Sequence, residues 1–250
     1  MSQYNIAIIS GHYPGSAFSS KENHRIYADL HGYKYINCNW PTKAKNPYFN
    51  KMYYIKEYIE CFDALFWIDD DAFFWDLDRK ICDYYPQGEC FFSACKSPSY
   101  KEIFTVFSSG QFFIKNTQKS IDFINETIET DLAEVKKWWQ ESYGYFSNGD
   151  QDAMLFHLYK KSSEEYQLYD YKEFNSRFEN LFSTEPHKPL ILHFTGKKDI
   201  KHSNYHQVQK EFNLSEFLIE PKLLVEYGIK PKSRKKKKKS LLSKIIKAVS

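Results

Sequence analysis

Three consecutive carboxylates, Asp69, Asp70 and Asp71, interrupt an apolar and aromatic run, ALFWIDDDAFF (64–74). Carboxylates this close raise one another's pKa unless a cation neutralises them, and a divalent metal ion does so best. In an extended segment residues two apart point the same way, so Asp69 and Asp71 form the better ligand pair while Asp70 faces the other side. A solvated turn with helix-capping acids is the competing reading of DDDAFFWDL, but aromatic residues on both sides are odd flanks for a free turn. A second group with chemical capacity is NGDQDA (148–153), which combines two acids with an amide. It is equally a good helix start, with acids in the first turn.

These residues need a scaffold, and the chain supplies one in alternating segments. NIAIIS (5–10) reads as a short buried strand, and KENHRIYADLHGY has helical spacing that stops at Gly32. KYINCNW is a second strand, PYFNKMYYIKEYIECF a helix, and ALFWID a third strand, too apolar to be half exposed. ECFFSACK and GQFFIKN predict further strands, TQKSIDFINETIETDLAEVKKWWQES and DQDAMLFHLYKK helices, and PLILHF (189–194) a late strand. Such alternation predicts an α/β fold with a mostly parallel central sheet. The aspartates then fall at the C-terminal end of a central strand, the edge at which open α/β sheets bind ligands.

Composition sets the limits. With 42% hydrophobic and 27% charged residues, the 250-residue chain can bury one full-sized core. Five cysteines, Cys38, Cys61, Cys82, Cys90 and Cys95, form no C-x-x-C pair, which disfavours a zinc site or a disulfide framework and suits a reducing compartment. The apolar run near Met1 is too short for a signal peptide, and no stretch reaches the roughly 18 apolar residues of a membrane span. Aromatics at 18% would suit sugar stacking, although AT-rich coding supplies the same residues. From Lys230 onward there are ten basic residues and no acidic ones, leaving 25 basic against 32 acidic elsewhere. An acidic body disfavours nucleic acid as its partner, since phosphate contacts need clustered Lys and Arg.

FWIDDDAFFWDL resembles the DxD-bearing segment of GT-A glycosyltransferases, most closely the galactosyl- and xylosyltransferase family that includes the yeast Golgi mannan enzymes. SKENHRIYADLHGYKYI (20–36), SSGQFFIKNT (108–117), NGDQDAM (148–154) and LHFTG (192–196) resemble further segments of that family, in its order. The resemblance implies a single Rossmann-like GT-A domain over residues 1–228. It also implies transfer of a hexose or pentose from a nucleoside-diphosphate sugar, with retention, to a glycan or lipid-linked acceptor. Mn²⁺ or Mg²⁺ would stabilise the departing diphosphate. Asp69, Asp71 and His193 would be its ligands, an oxygen-plus-imidazole set compatible with Mn²⁺.

Around that centre the resemblance and the sheet argument together place the nucleotide at Ser10, Lys21, Asn23 and Tyr27, the last two being one helical turn apart. Ser109, Gly110 and Gln111 would lie near the donor sugar, and Asp70 would contact ribose or sugar. Gly196 would let backbone approach the diphosphate, with a cation from Lys197 or Lys198. Asp150, Gln151 and Asp152 would orient the donor and stabilise an oxocarbenium-like centre. An aspartate-based phosphatase also places carboxylates after a strand, but its D-x-D-x-[TV] pattern fails here at Phe73.

The segment 229–250 reads separately. If helical, Leu241, Leu242, Ile245, Ile246 and Val249 share an arc of about 140°, opposite Ser243, Lys244 and Lys247. A polybasic run joined to a short amphipathic helix predicts peripheral attachment to an anionic membrane surface. The Golgi members of the family carry an N-terminal anchor that this sequence does not show, so the expectation is a cytoplasmic enzyme held at the inner face of the membrane. The alternative is a non-catalytic, membrane-recruited carbohydrate- or nucleic-acid-binding protein.

Overall fold

The computed structural model describes residues 4–99, 104–183 and 188–230, so the basic segment from 231 onward lies outside the described residues. β1 (Ile6–Gly11) carries Ile6, Ala7, Ile8 and Ile9 in succession, all buried, as a strand with a neighbour on each edge and cover on each face requires. α1 (Lys21–His31) follows and ends where Gly32 adopts a φ of 73°, a left-handed conformation that lets its N–H return to the carbonyls of Ala28 and Asp29. β2 (Lys34–Cys38) precedes α2 (Asn50–Tyr58), which is flanked by 3-10 turns at Pro47–Phe49 and Ile59–Cys61. β3 (Ala64–Ile68) is entirely buried and turns through the aspartates into β4 (Ala72–Phe74).

The second half contains β5 (Phe92–Cys95), β6 (Ser108–Lys115), α3 (Gln118–Glu129), α4 (Leu132–Trp138) and α5 (Asp150–Leu158). It continues with β7 (Tyr166–Tyr169), α6 (Tyr171–Phe174), β8 (Ile191–His193), α7 (Lys198–Glu211) and α8 (Pro221–Glu226). The central sheet has the order β2-β1-β3-β6-β5-β7. β1 runs parallel to β2 and β3, and β5 parallel to β7; only β6 is reversed, antiparallel to both β3 and β5. The sheet is thus mostly parallel, and the chain forms a single Rossmann-like domain.

Two cores cover the faces of the sheet. On one, Met52 and Ile55 of α2, Phe123 and Ile124 of α3, and Met154, Leu155 and Leu158 of α5 pack against Ile9, Leu65, Trp67 and Phe112. On the other, Tyr27 and Ala28 of α1, together with Phe74 and Ile191, pack against Ile8, Phe66 and Phe113. Alternate residues of β3 serve opposite cores, which is why the segment contains no polar position.

Three local expectations need correction. The helix predicted from Thr117 to Ser142 is two helices, because Thr130 is extended (ψ 128°) and the Asp131 side chain accepts from the Ala133 N–H, starting α4 afresh. PLILHF does supply the expected late strand, but it lies outside the central sheet. Its Ile191–His193 pairs antiparallel with Ala72–Phe74 in a separate two-stranded ribbon. β4 and β7 were not anticipated as separate strands, one being three residues long and the other a half-exposed edge.

Two buried histidines make stability depend on pH. Burial lowers His24, whose Nε2 meets the Ala72 carbonyl at 2.8 Å, to about 4. It does the same for His157, to about 4, helped by Lys160. The unfolded chain therefore binds more protons between the ordinary histidine pKa of about 6.5 and 4, so stability falls on acidification through that window. Urea unfolding at pH 7 and pH 5 is expected to differ by roughly 3–4 kcal/mol from the two histidines together, about half of it from each. His157→Gln should shrink the difference; an unchanged difference would remove His157 from the account. No helix among the described residues is long and apolar enough to cross a membrane.

Candidate active site

Reversal of β6 is what assembles the site. β1 and β3 end on one edge of the sheet, and because β6 runs the other way its first residues begin on that same edge, with the Asp69 N–H donating to the Gly110 carbonyl at 2.8 Å. The aspartates make a tight turn rather than an extended segment, closed by the Ala72 N–H on the Asp69 carbonyl. Asp69 and Asp71 nevertheless turn toward one centre and Asp70 toward another. Asp69 Oδ1 accepts from Trp67 Nε1 (2.7 Å) and Lys51 Nζ (3.1 Å). Asp71 Oδ1 lies 3.1 Å from His193 Nε2, and its Oδ2 accepts from Lys201 Nζ. Asp70 takes the Ser16 hydroxyl and sits 3.6 Å from His12 Nδ1. All three line a cavity of about 220 Å³ that also contains Gly11, Tyr13, Tyr48, Lys51 and Lys201.

Lys51, from the first turn of α2, is the main internal cation. Its ammonium reaches Asp69, Asp150 Oδ2 (3.0 Å) and the Ser109 carbonyl (2.9 Å). Burial would lower its pKa, but Asp150 and Asp69 outweigh burial and hold it above the ordinary lysine range. Burial likewise acts to raise Asp71 but is overcome by His193 and Lys201, which keep it well below the usual carboxylate range. At Asp69 burial prevails over Lys51, and the pKa is raised. The site therefore carries two carboxylates with environments of opposite effect.

The donor set fits a divalent cation. Ligand atoms of Asp69, Asp71 and His193 lie within 4.8 Å of one another. Asn175 fixes the histidine: its Nδ2 donates to the Lys96 carbonyl (3.2 Å) and its Oδ1 accepts from Arg177 Nη1 (2.6 Å), so His193 Nδ1, 2.9 Å from that oxygen, must be the donor. In the neutral ring the Nε2 lone pair then faces Asp71 Oδ1, an arrangement that calls for a proton or a metal ion between them. An imidazole whose far nitrogen is held by an oxygen is how metal-ligating histidines are oriented. Asn175→Ala is expected to weaken Mn²⁺ binding about 10- to 100-fold by titration calorimetry; affinity equal to wild type would show that the amide does not orient the ligand.

Gly110 makes room for this ring. A Cβ there would lie 2.5 Å from His193 Cε1 and 3.1 Å from its Nδ1. Ser109 gives its carbonyl to Lys51 and its N–H to Gln151 Oε1 (3.2 Å), so Asp150 and Gln151, at the start of α5, join the site through Lys51 and β6. Asp152 does not join them. It is fully buried and accepts from the Ser147 hydroxyl (3.0 Å) and the Gly149 N–H (3.3 Å), capping the helix it belongs to. Gln111, buried beside Gly110, has neither amide atom hydrogen-bonded among the described residues.

At the N-terminal side the sequence expectation is only partly met. Asn23 is wholly occupied by β4, donating to the Phe74 carbonyl (3.0 Å) and accepting its N–H (2.7 Å). Tyr27 stacks on Phe74 at 3.6 Å while its hydroxyl bridges Arg79 and Ile81. Neither side chain opens to the cavity; their helical spacing serves β4 rather than a ligand. Ser10 is buried in β1 opposite Asn37, and Lys21 is exposed. Gly196 has a φ of 103°, and Lys197 and Lys198 are exposed at the start of α7. A further cation, Lys201 on α7, stands on Asp71.

Lys51, Lys201, His12 and Asn175 were not found from sequence. Lys51 alone carried a signal, as a single cation inside the aromatic run PYFNKMYY. A larger cavity of about 500 Å³, walled mainly by Leu30, Trp75, Phe212 and Leu223, gathers no comparable cluster.

No protein-family model matches the chain, and no curated protein matches its sequence. Its structure is similar to that of a glycosyltransferase involved in the glycosylation of the major capsid of PBCV-1, with a TM-score of 0.62 and 15% identity over 80% of this chain and 98% of that one. It is also similar to the glycosyltransferase GlyE of Streptococcus pneumoniae TIGR4, with a TM-score of 0.51 and 16% identity over 93% of this chain and 66% of that one. The chain thus spans just under two thirds of GlyE. At these identities what is shared is the fold.

Proposed function

We propose that this chain is a metal-dependent, retaining GT-A glycosyltransferase that moves a hexose or pentose from a nucleoside-diphosphate sugar to a glycan or lipid-linked acceptor. The observation that carries the reading is the Asp69, Asp71 and His193 cluster, set at the ligand-bearing edge of a fold shared with glycosyltransferases. A divalent cation held there, Mn²⁺ or Mg²⁺, would offset the charge that grows on the diphosphate as the sugar leaves. The finer likeness, to galactosyl- and xylosyltransferases, rests on the sequence motifs.

In this reading the nucleoside enters past Ser10 and Lys21, over the loop that carries His12 and Tyr13, with Asp70 toward ribose or sugar. Lys201 stands where the ammonium now on Asp71 can swing to a phosphate oxygen, and Lys197 and Lys198 flank the same approach with Gly196. Asp150 and Gln151, beside Ser109 and Gly110, orient the sugar and stabilise positive charge at its anomeric carbon. The bond from that carbon to the diphosphate oxygen breaks, the acceptor oxygen bonds to the same face, and the acceptor proton leaves with the diphosphate. Asn23, Tyr27 and Asp152 act through the scaffold, and Gln111 keeps its place beside Gly110 near the donor sugar. The basic segment 229–250 would bring the enzyme to anionic lipid on the cytoplasmic face of a membrane, a place suited to surface-polysaccharide synthesis.

The test is a thermal-shift screen of nucleoside-diphosphate sugars with and without Mn²⁺, since a ligand of the folded state raises Tm, followed by assay of nucleoside diphosphate release. A donor that shifts Tm only with metal and is then consumed supports the reading. Asp71→Ala should slow consumption at least about 100-fold. If no donor is consumed, or Asp71→Ala is as active as wild type, the reading fails; binding without turnover would favour a scaffold.

A further inference from the structure

Tyr48 is 64% exposed, yet it is held more firmly than an exposed side chain needs to be. Pro47 begins its 3-10 turn, and the Asn46 side chain accepts the Tyr48 N–H at 3.1 Å. The same Asn46 donates through Nδ2 to the Asn148 carbonyl (3.1 Å), tying the turn to the segment that leads into α5. The ring lies over Gly149, where a Cβ would sit 3.4 Å from ring Cδ2. An exposed aromatic ring carried on an anchored backbone turn, in the wall of the acidic cavity, is placed to meet a ligand.

The cavity has two ends. At one, Asp70 faces His12 and Ser16 on the loop after β1. At the other, Asp69 faces Lys51, and Lys51 faces Asp150. Tyr48 belongs to the second end, because its ring lies beside Gly149, the residue immediately before Asp150. We propose that Tyr48 is the floor of the acceptor subsite, stacking against the C–H face of a pyranose ring in an acceptor glycan. The proposal rests on the glycosyltransferase reading, which puts the transferred sugar beside Asp150 and Gln151. Whatever lies beyond that sugar, away from the nucleoside end, is the group that receives it. Pyranoses suit such a floor, since their axial C–H groups form an apolar face while their hydroxyls stay at the rim in water.

The experiment uses the full chain with the donor found by the screen, and methyl glycosides of glucose, galactose, mannose and xylose as acceptor probes. Tyr48→Ala is expected to raise the KM for the accepted glycoside about tenfold while the donor's Kd stays as in wild type, and Tyr48→Phe to keep the wild-type KM. A weakened donor Kd with unchanged acceptor KM would assign the ring to the nucleobase and overturn the inference. So would an unchanged acceptor KM in Tyr48→Ala, or a Tyr48→Phe variant as impaired as the alanine. Wild-type protein that hydrolyses donor, yet neither glycosylates nor gives saturation transfer to any of the four glycosides, overturns the inference and leaves the proposed function standing. Failure to hydrolyse any donor is instead the failure of that function.

Discussion

Lys51→Met is expected to cost about 3–5 kcal/mol of stability at pH 7 and to slow transfer at least about 100-fold. The ammonium is the shared partner of Asp69 and Asp150, with only 10% of the Lys51 side chain and 7% of the Asp150 side chain exposed. Removing it leaves two carboxylates close together with little water, where each must either bear an unpaired charge or take up a proton. Protonation is the cheaper course, and at Asp69, which burial already raises against the lysine, losing the ammonium raises the folded-state pKa further. Groups raised in the folded state lose stability as pH rises, so the loss should be larger at pH 8 than at pH 5. Asp150→Asn in the same chain should restore part of the stability but not the transfer, because in the proposed function the carboxylate is needed beside the sugar and an amide does not replace it. Urea unfolding of the two single variants and the double variant decides the matter: a loss below about 1 kcal/mol for Lys51→Met would show that the triad is not a coupled unit.

Gly110→Ala should damage the metal site with much less damage to the fold. The added methyl would meet His193 Cε1 at 2.5 Å, and the ring cannot give way without leaving Asn175 or Asp71. Overpacking of this kind costs about 1–3 kcal/mol. Displacing a ligand by an ångström costs on the order of 100-fold in rate, so Mn²⁺ affinity and donor consumption should both fall together. Gly11 offers a control for sterics alone. A Cβ there would meet the Cys38 carbonyl at 2.4 Å, a backbone clash between β1 and β2 that should lower stability without selective loss of metal binding. If Gly110→Ala bound Mn²⁺ as wild type does, the proximity of ring and strand would be irrelevant to the site.

The alternation of strands and helices was legible because each buried strand is written in β-branched and aromatic residues, as in IAIISG and ALFWI, and because α1 ends on Gly32. The aspartates were legible because aromatic residues flank them on both sides, which a merely solvated turn would not need. What escaped depended on packing in three dimensions. Asn23 and Tyr27 had the right spacing for one ligand, but the same spacing serves Phe74, and only the position of β4 decides between them. Lys201 escaped because only the packing of α7 brings it to Asp71. Asn175 was invisible because its role comes from a pairing across the fold, with the His193 N–H donating to the Ser176 carbonyl at 2.8 Å.

The ribbon formed by β4 and β8 also orders events in time. Synthesis proceeds from the N-terminus, and every strand of the central sheet is available once Tyr169 has been made. Asp69 and Asp71 are among the earlier residues to emerge, but His193 and Lys201 follow only after β7 and α6, when β8 closes on Ala72–Phe74. A nascent chain that already has its sheet therefore holds an acidic loop without its histidine or its second lysine, and the Asp69, Asp71 and His193 cluster is completed only after the sheet that supports it.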